Sequence, residues 1–359
     1  MTKLSLEHYT GCLLGGAIGD ALGFPVEFFD ISQIHKNYGK EGIKDYEELD
    51  EGMGRYTDDT QMTLFTAEGM LRSLHRAATR GLGGAYLQIA HHSYLRWLHT
   101  QGQKLPVPEH GQLDLDGWLL ENRILFRKMA PGNTCLEALR SGRCGTIERP
   151  VNNSKGCGGV MRVAPVGLIF NNDAEEAFMV GADVAAITHG HPGGYLPAGA
   201  FASIISFLLQ GQTLEQAISG SLKILEKWKN HEDTLFAIRK AVDLFEISGP
   251  SHKNVEKLGG GWIGEEALSI AIFCSLHYRN DFEKAVLLSV NHGGDSDSTG
   301  SLTGNIVGII LGKSAIPSRW ADRLEGGDIV IQMAEDLHTR CKSDSHKIDK
   351  EWFRRYPPT

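Results

Sequence analysis

"NHGGDSDSTGSLTGNIVGIILG", residues 291–312, sets two carboxylates one residue apart, Asp295 and Asp297, among the hydroxyls of Ser296, Ser298 and Thr299. An apolar segment follows with glycine at every fourth position: Gly300, Gly304, Gly308 and Gly312. Four-residue spacing keeps glycines on one face of an α-helix, and a face without side chains lets a second backbone come close. The stretch predicts a helix over 298–311 that packs tightly and opens on a cluster of oxygen ligands. One N-cap uses one such side chain; this segment offers five.

The start of the chain repeats the pattern. Over 11–23, Leu14, Ala17, Ile18, Ala21 and Leu22 follow helical spacing, while Gly15, Gly19 and Gly23 mark a second face. The two glycine faces are expected to meet, which would hold the acidic helix mouths at a fixed separation. Asp20, an acid inside this helix, is expected to bond or cap nearby backbone. Further helices are expected over 60–74, 86–98, 134–140, 174–188, 197–209, 213–229, 231–246, 264–277, 281–290 and 325–340, with loops over 99–116 and 141–160. Strand alternation never lasts, nothing repeats, and no linker divides the chain. The reading is all-α: a single domain over 1–340 and a polar tail over 341–359, which Trp352, Phe353 and Tyr356 could dock.

Composition narrows the class. A hydrophobic content of 41% supports a sizeable core, and a net charge of −8 argues against a nucleic-acid partner. Cys12, Cys135, Cys144, Cys157, Cys274 and Cys341 are scattered without a Cys-x-x-Cys pair, so a reduced, cytosolic thiol set is expected. The first residues do not read as a signal peptide, and no run of ~18 apolar residues predicts a membrane span. The expected location is cytoplasmic.

A second acidic mouth precedes the helix at 60–74. "MGRYTDDTQMTL" (53–64) sets Thr57, Asp58, Asp59 and Thr60 before an apolar run. Either cluster alone reads as a helix cap. If the two mouths meet, four carboxylates converge, and buried like charges would raise one another's pKa unless a cation neutralises them. Oxygen ligands without His or Cys suit a hard divalent ion, Mg²⁺, Mn²⁺ or Ca²⁺. Glu27, two residues past Pro25, reads on its own as a surface acid.

In order, "GCLLGGAIGDALGFPVEF", "YTDDTQMTL", "GCGGVMRVAPVGL", "THGHP", "GWIGEEALSIAIF" and "NHGGDSDSTGSLTGNIVG" resemble the motifs of the ADP-ribosylglycohydrolase family, from residue 11 to about 312. The resemblance implies a compact orthogonal helical bundle of that type. It implies two Mg²⁺ (or Mn²⁺) ions and hydrolysis of a glycosidic bond to ADP-ribose. Carried onto this sequence, the metal ligands are Thr57, Asp58, Asp59, Asp295, Asp297 and Ser298, with Thr299 a substitute for Ser298. The family's early glutamate falls on Glu27, and its nucleotide loop on Gly156, Cys157, Gly158, Gly159, Val160 and Met161 with Asn153 and Ser154 ahead. His189 matches a histidine near the ligand.

The implied chemistry passes through an oxocarbenium-like state and needs a positioned water and a proton acceptor. Glu27, Asp59 and Asp297 are the candidate catalytic acceptors, and the residues do not choose among them. Arginine is the favoured acceptor side chain, and an ADP-ribosylated protein and ADP-ribose are the expected partners. A non-catalytic ADP-ribose binder is the alternative class. A related alternative is an immunity protein that opposes a cognate ADP-ribosyltransferase toxin, with 99–130 and the N-terminal residues contacting the partner. Gly259-x-Gly261-x-x-Gly264 matches a dinucleotide fingerprint formally, but "SHKNVEK" stands where a strand should be. His91-His92 and His189-x-His191 lack a third zinc ligand at a sensible spacing.

Overall fold

The computed structural model describes residues 5–47, 52–81, 83–342 and 350–358. Its α-helices are, in chain order, α1 Leu6–Gly23, α2 Ile31–Tyr38, α3 Asp58–Arg80, α4 Tyr86–Thr100, α5 Asn133–Arg140, α6 Ala164–Ile169, α7 Ala174–Ala186, α8 Pro192–Leu209, α9 Leu214–Leu225, α10 Glu232–Ile247, α11 His252–Val255, α12 Gly264–His277, α13 Phe282–Val290, α14 Ser296–Leu311, α15 Ser318–Ala321, α16 Gly327–Lys342 and α17 Lys350–Arg355. Among the described residues no β-strand forms, and two isolated bridges pair Gly54 with Leu324 and Gly156 with Ile263. The all-α reading holds.

At the centre lie α1 and α14, running antiparallel. Every residue of α1 from Tyr9 to Gly23 is buried, as expected of a helix that is apolar all round. A Cβ placed on Gly11, Gly15, Gly19 or Gly23 would fall 2.2, 2.4, 2.0 or 2.2 Å from the carbonyl oxygen of Gly308, Gly304, Gly300 or Ser296, respectively. The glycine faces of the sequence are thus a seam of backbone on backbone, where Cα–H groups can oppose carbonyls. One side chain pins the register: the Asn305 amide lies against Gly16 and donates to the Cys12 carbonyl at 2.8 Å. α16, α3 and α6 pack on α1, while α12, α13 and α8 pack on α14.

Several bounds differ from the sequence expectation for local reasons. α1 begins at Leu6 and α3 runs on to Arg80, where Gly81 adopts a left-handed cap. α8 begins at Pro192, because proline is tolerated at the first helical position and His191 Nδ1 accepts from the Gly193 amide at 3.0 Å. By length and composition α8 could cross a membrane, but 83% of it is buried inside this fold. α2 escaped the apolar-period reading; its signal is the capping box of Asp30 and Gln33. In the tail, residues 343–349 and 359 lie outside the described residues. Lys350–Arg355 form α17, and Trp352 and Tyr356 are buried, the Tyr356 hydroxyl donating to Asp336 Oδ2 at 2.6 Å.

Candidate active site

Three helix ends meet beside the central seam. Gly23, the last residue of α1, touches the first turn of α14: its added Cβ would lie 2.2 Å from the Ser296 carbonyl oxygen and 2.4 Å from the Asp297 nitrogen. One turn back, Asp20 reaches sideways to the start of α3. Its Oδ1 accepts from the Thr57 amide at 2.9 Å, and its Oδ2 from the Thr60 amide at 3.0 Å and the Thr60 hydroxyl at 2.5 Å. The acid inside the glycine helix is therefore an N-terminal cap for a different helix. Because α1 holds α14 by its glycines and α3 by Asp20, the two acidic mouths are fixed relative to each other.

Each mouth is also shaped locally. Thr57 caps α3, its hydroxyl accepting from the Asp59 amide at 3.2 Å. The Asp58 amide donates to the Met129 carbonyl at 2.9 Å, and Asp58 Oδ2 accepts from the Gly132 amide at 3.0 Å. At α14, the Asp295 amide donates to the Gly260 carbonyl at 2.8 Å, and Asp297 Oδ1 accepts from the Ser298 amide at 2.9 Å. Glu27 follows a short 3₁₀ turn, Phe24–Val26, that redirects the chain after α1. It is buried, not a surface acid, and a carboxylate oxygen from each of Glu27, Asp295 and Asp297 lies within 4.8 Å of the other two.

The electrostatics follow from this crowding. Burial, and then the charge of Asp297, push Glu27 up to about 9 and raise Asp20, Asp59 and Asp295 well above the usual carboxylate range. Burial raises Asp58 to about 7, against the pull of the Gly132 amide. Arg162 lowers Asp58 in part, but its guanidinium is committed to the Val184 carbonyl, the Thr188 hydroxyl and the face of Tyr94. Glu27 Oε2 and Asp59 Oδ2 are buried and make no hydrogen bond. A hard divalent cation fits this donor set: it would neutralise the crowded carboxylates and take up the lone pairs left over.

The carboxylates floor a cleft of about 680 Å³, part of it continuous with solvent, walled by Asn133, Thr134, Cys135, Gly156, Cys157, Gly158, Met161, His189 and Trp262. Glu27, Asp58, Asp59, Asp295, Asp297 and Ser298 all face it. Thr57 lies beneath, fully buried, its hydroxyl shared between Asp20 and Asp297. Of the expected nucleotide loop, Gly156, Cys157, Gly158 and Met161 form the wall, whereas Asn153 is exposed, Ser154 is half-buried outside the lining, and Gly159 and Val160 are buried behind it. The amides of Gly156, Cys157 and Val160 are engaged by the Ser154 hydroxyl, the Trp262 carbonyl and the Cys157 carbonyl. Of the loop amides, a diphosphate in the cleft would meet at most that of Gly158. His189 backs this turn: burial lowers its pKa to about 3, its Nδ1 pairs with the Thr188 hydroxyl at 2.8 Å, and an added Cβ on Gly158 would fall 2.9 Å from its ring.

Sequence reasoning missed Asn133, Thr134 and Trp262. None of the three is itself titratable; the signals were "PGNT", a glycine-preceded polar pair that opens α5, and the place of Trp262 inside "GWIGEEALSIAIF". It also missed a stacked pair at the cleft edge, Phe28 over Trp262 with ring centroids 5.5 Å apart. No strand leads into Gly259–Gly264, and the Gly260 carbonyl serves to hold Asp295. The cluster of ligating type found among the described residues contains no histidine.

Comparison with known proteins agrees with this fold. The sequence profile described as ADP-ribosylglycohydrolase matches residues 1–347. The chain is 25% identical to ADP-ribosylarginine hydrolase Tri1 of Serratia proteamaculans, covering 93% of this chain and 79% of that protein. It is 26% identical to the ADP-ribosyl-[dinitrogen reductase] glycohydrolase of Rhodospirillum rubrum, covering 89% and 90%, and 24% identical to ADP-ribosylhydrolase ARH3 of Mus musculus, covering 93% and 92%. A solved structure titled ADP-ribosylglycohydrolase-related protein complex superposes with a TM-score of 0.65 at 24% identity, over 94% of this chain and 98% of that one, and shares the all-α fold. The chain belongs to the ADP-ribosylglycohydrolase family, whose members hydrolyse ADP-ribosylated substrates.

Proposed function

We propose that this chain is a metal-dependent hydrolase that removes mono-ADP-ribose from modified protein side chains, with arginine as the acceptor. One observation carries the reading: Glu27, Asp58, Asp59, Asp295 and Asp297 converge, buried, on a cleft whose other wall is a glycine turn.

Thr57, Asp58, Asp59, Asp295, Asp297 and Ser298 would hold two divalent ions, Mg²⁺ or Mn²⁺. Bound there, they supply positive charge that can fix ribose hydroxyls and acidify a water. The chain's own residues do the rest. Gly158 admits a diphosphate close to the backbone because any side chain there would strike His189. His189, neutral and tethered through Nδ1, leaves its other nitrogen facing the turn, 3.5 Å from the Cβ position of Gly156. Glu27 belongs to neither helix mouth and has an oxygen without a hydrogen bond, so it suits the role of proton acceptor. The flanking carboxylates favour positive charge as it develops at the sugar carbon.

Similarity to an ADP-ribosylarginine hydrolase supports an arginine acceptor, and an acidic cleft attracts a guanidinium group. The test is a panel of proteins carrying ADP-ribose on arginine or on serine, assayed in parallel for release. Faster release from arginine supports the proposal, and faster release from serine replaces that acceptor. Tight ADP-ribose binding without release from either substrate would favour the binding-protein alternative.

A further inference from the structure

We infer that Cys157 is a positioning residue for the cation-binding carboxylates and acts through Asp295. Its Sγ donates to Asp295 Oδ2 at 2.7 Å, while the Ser298 amide stands 3.4 Å from Oδ1. The thiol rides on a fixed turn. The Cys157 amide donates to the Trp262 carbonyl at 3.2 Å, and the Cys157 carbonyl accepts from the Val160 and Met161 amides at 2.9 and 3.2 Å. The acceptor is equally fixed, since the Asp295 amide is held by the Gly260 carbonyl at 2.8 Å. A two-atom link therefore joins the glycine turn to the α14 mouth. Across the same cleft Asp59 Oδ2 is buried without a partner, so the carboxylate set keeps capacity for a ligand. A carboxylate that ligates through one oxygen gains from a donor that holds the other, because a fixed rotamer loses less freedom on binding.

This inference rests on the reading that the acidic cluster binds a divalent cation. The experiment is calorimetric titration of the chelator-treated full chain with Mn²⁺, for the parent, Cys157→Ala and Cys157→Ser, each first checked for its melting temperature. Loss of an outer-shell hydrogen bond should weaken Mn²⁺ binding of Cys157→Ala by about 10–100-fold, with Cys157→Ser, which keeps a donor, within about 5-fold of the parent. Cys157→Ala binding Mn²⁺ like the parent would overturn the inference. So would Cys157→Ser falling as far as Cys157→Ala, because the sulfur's bulk and not its proton would then matter. If Cys157→Ala does not fold, Cys157→Val, which keeps bulk without a donor, takes its place and must fall by the same margin of about 10–100-fold for the inference to stand. A parent chain that binds no Mn²⁺ would remove the cation reading itself, a result distinct from either failure above.

Discussion

Removing Asp20 tests how the fold builds the site. The carboxylate satisfies the Thr57 amide, the Thr60 amide and the Thr60 hydroxyl, all within the protein. Asp20→Ala leaves these buried donors without a partner, at roughly 1–3 kcal/mol each if nothing replaces it. Relief of repulsion with Asp297, which helps to raise the Asp20 pKa, offsets part of the loss, and the Thr60 hydroxyl can turn to another acceptor. A net destabilisation of about 2–4 kcal/mol remains, in line with the loss of a strong cap. For 359 residues the unfolding entropy is ~0.75 kcal/mol/K, so the melting temperature should fall by about 3–5 °C. Asp20→Asn should fare no better, because one amide position would point a donor at a donor. Both variants should weaken Mn²⁺ binding by about 10–100-fold, since Thr57, Asp58 and Asp59 lose their anchor to α1. Scanning calorimetry and Mn²⁺ titration read both effects. An Asp20→Ala protein that melts and binds Mn²⁺ like the parent would refute the cross-helix cap.

Other perturbations separate the seam, the charge cluster and the proton acceptor. Gly304→Ala places a Cβ 2.0 Å from the Gly15 carbonyl oxygen and should cost about 1–3 kcal/mol despite alanine's better helix propensity, whereas Gly249→Ala, with open space around it, should leave the melt unchanged; equal melts for both would contradict the seam. Glu27 and Asp58 have folded pKa values of about 9 and 7, raised above 4.5 and 3.8, so the folded state holds the extra protons. The stability they contribute is present below the unfolded values and is lost as pH rises through 7 towards 9. The chelated protein should therefore melt lower at high pH, and excess Mn²⁺ should flatten that slope; a chelated melt that rises with pH would contradict the assignment. Glu27→Gln should lower kcat by roughly 10²–10⁴ while leaving KM near the parent's, and an unchanged kcat would move the proton acceptor elsewhere.

The parts of this structure legible in the sequence are those written in short-range spacing. Four-residue glycine periods announced α1 and α14 and their contact, because a bare helix face has few uses besides close approach. Acid-hydroxyl runs at 57–60 and 295–299 announced the helix mouths. Asp20 was legible as an anomaly, though not as the cap of a helix that begins 38 residues later, since that partner is set by tertiary packing. Glu27 shows the limit more sharply: beside Pro25 its local sequence reads as a surface turn, and its burial comes from tertiary packing beside the two acidic helix mouths. Likewise, which residues of the loop 153–161 face the cleft depended on His189 and Trp262, far along the chain, and the sequence alone set Asn153 and Gly158 on equal terms.

The most direct test of the account is release of ADP-ribose from an ADP-ribosylarginine protein, measured with and without EDTA, for the parent chain and for Asp295→Ala. Release by the parent that stops with EDTA, returns with added Mg²⁺ or Mn²⁺, and is lost in Asp295→Ala is the predicted result. Release that persists in EDTA, or that survives in Asp295→Ala, would contradict a cation-loaded carboxylate cluster as the seat of catalysis.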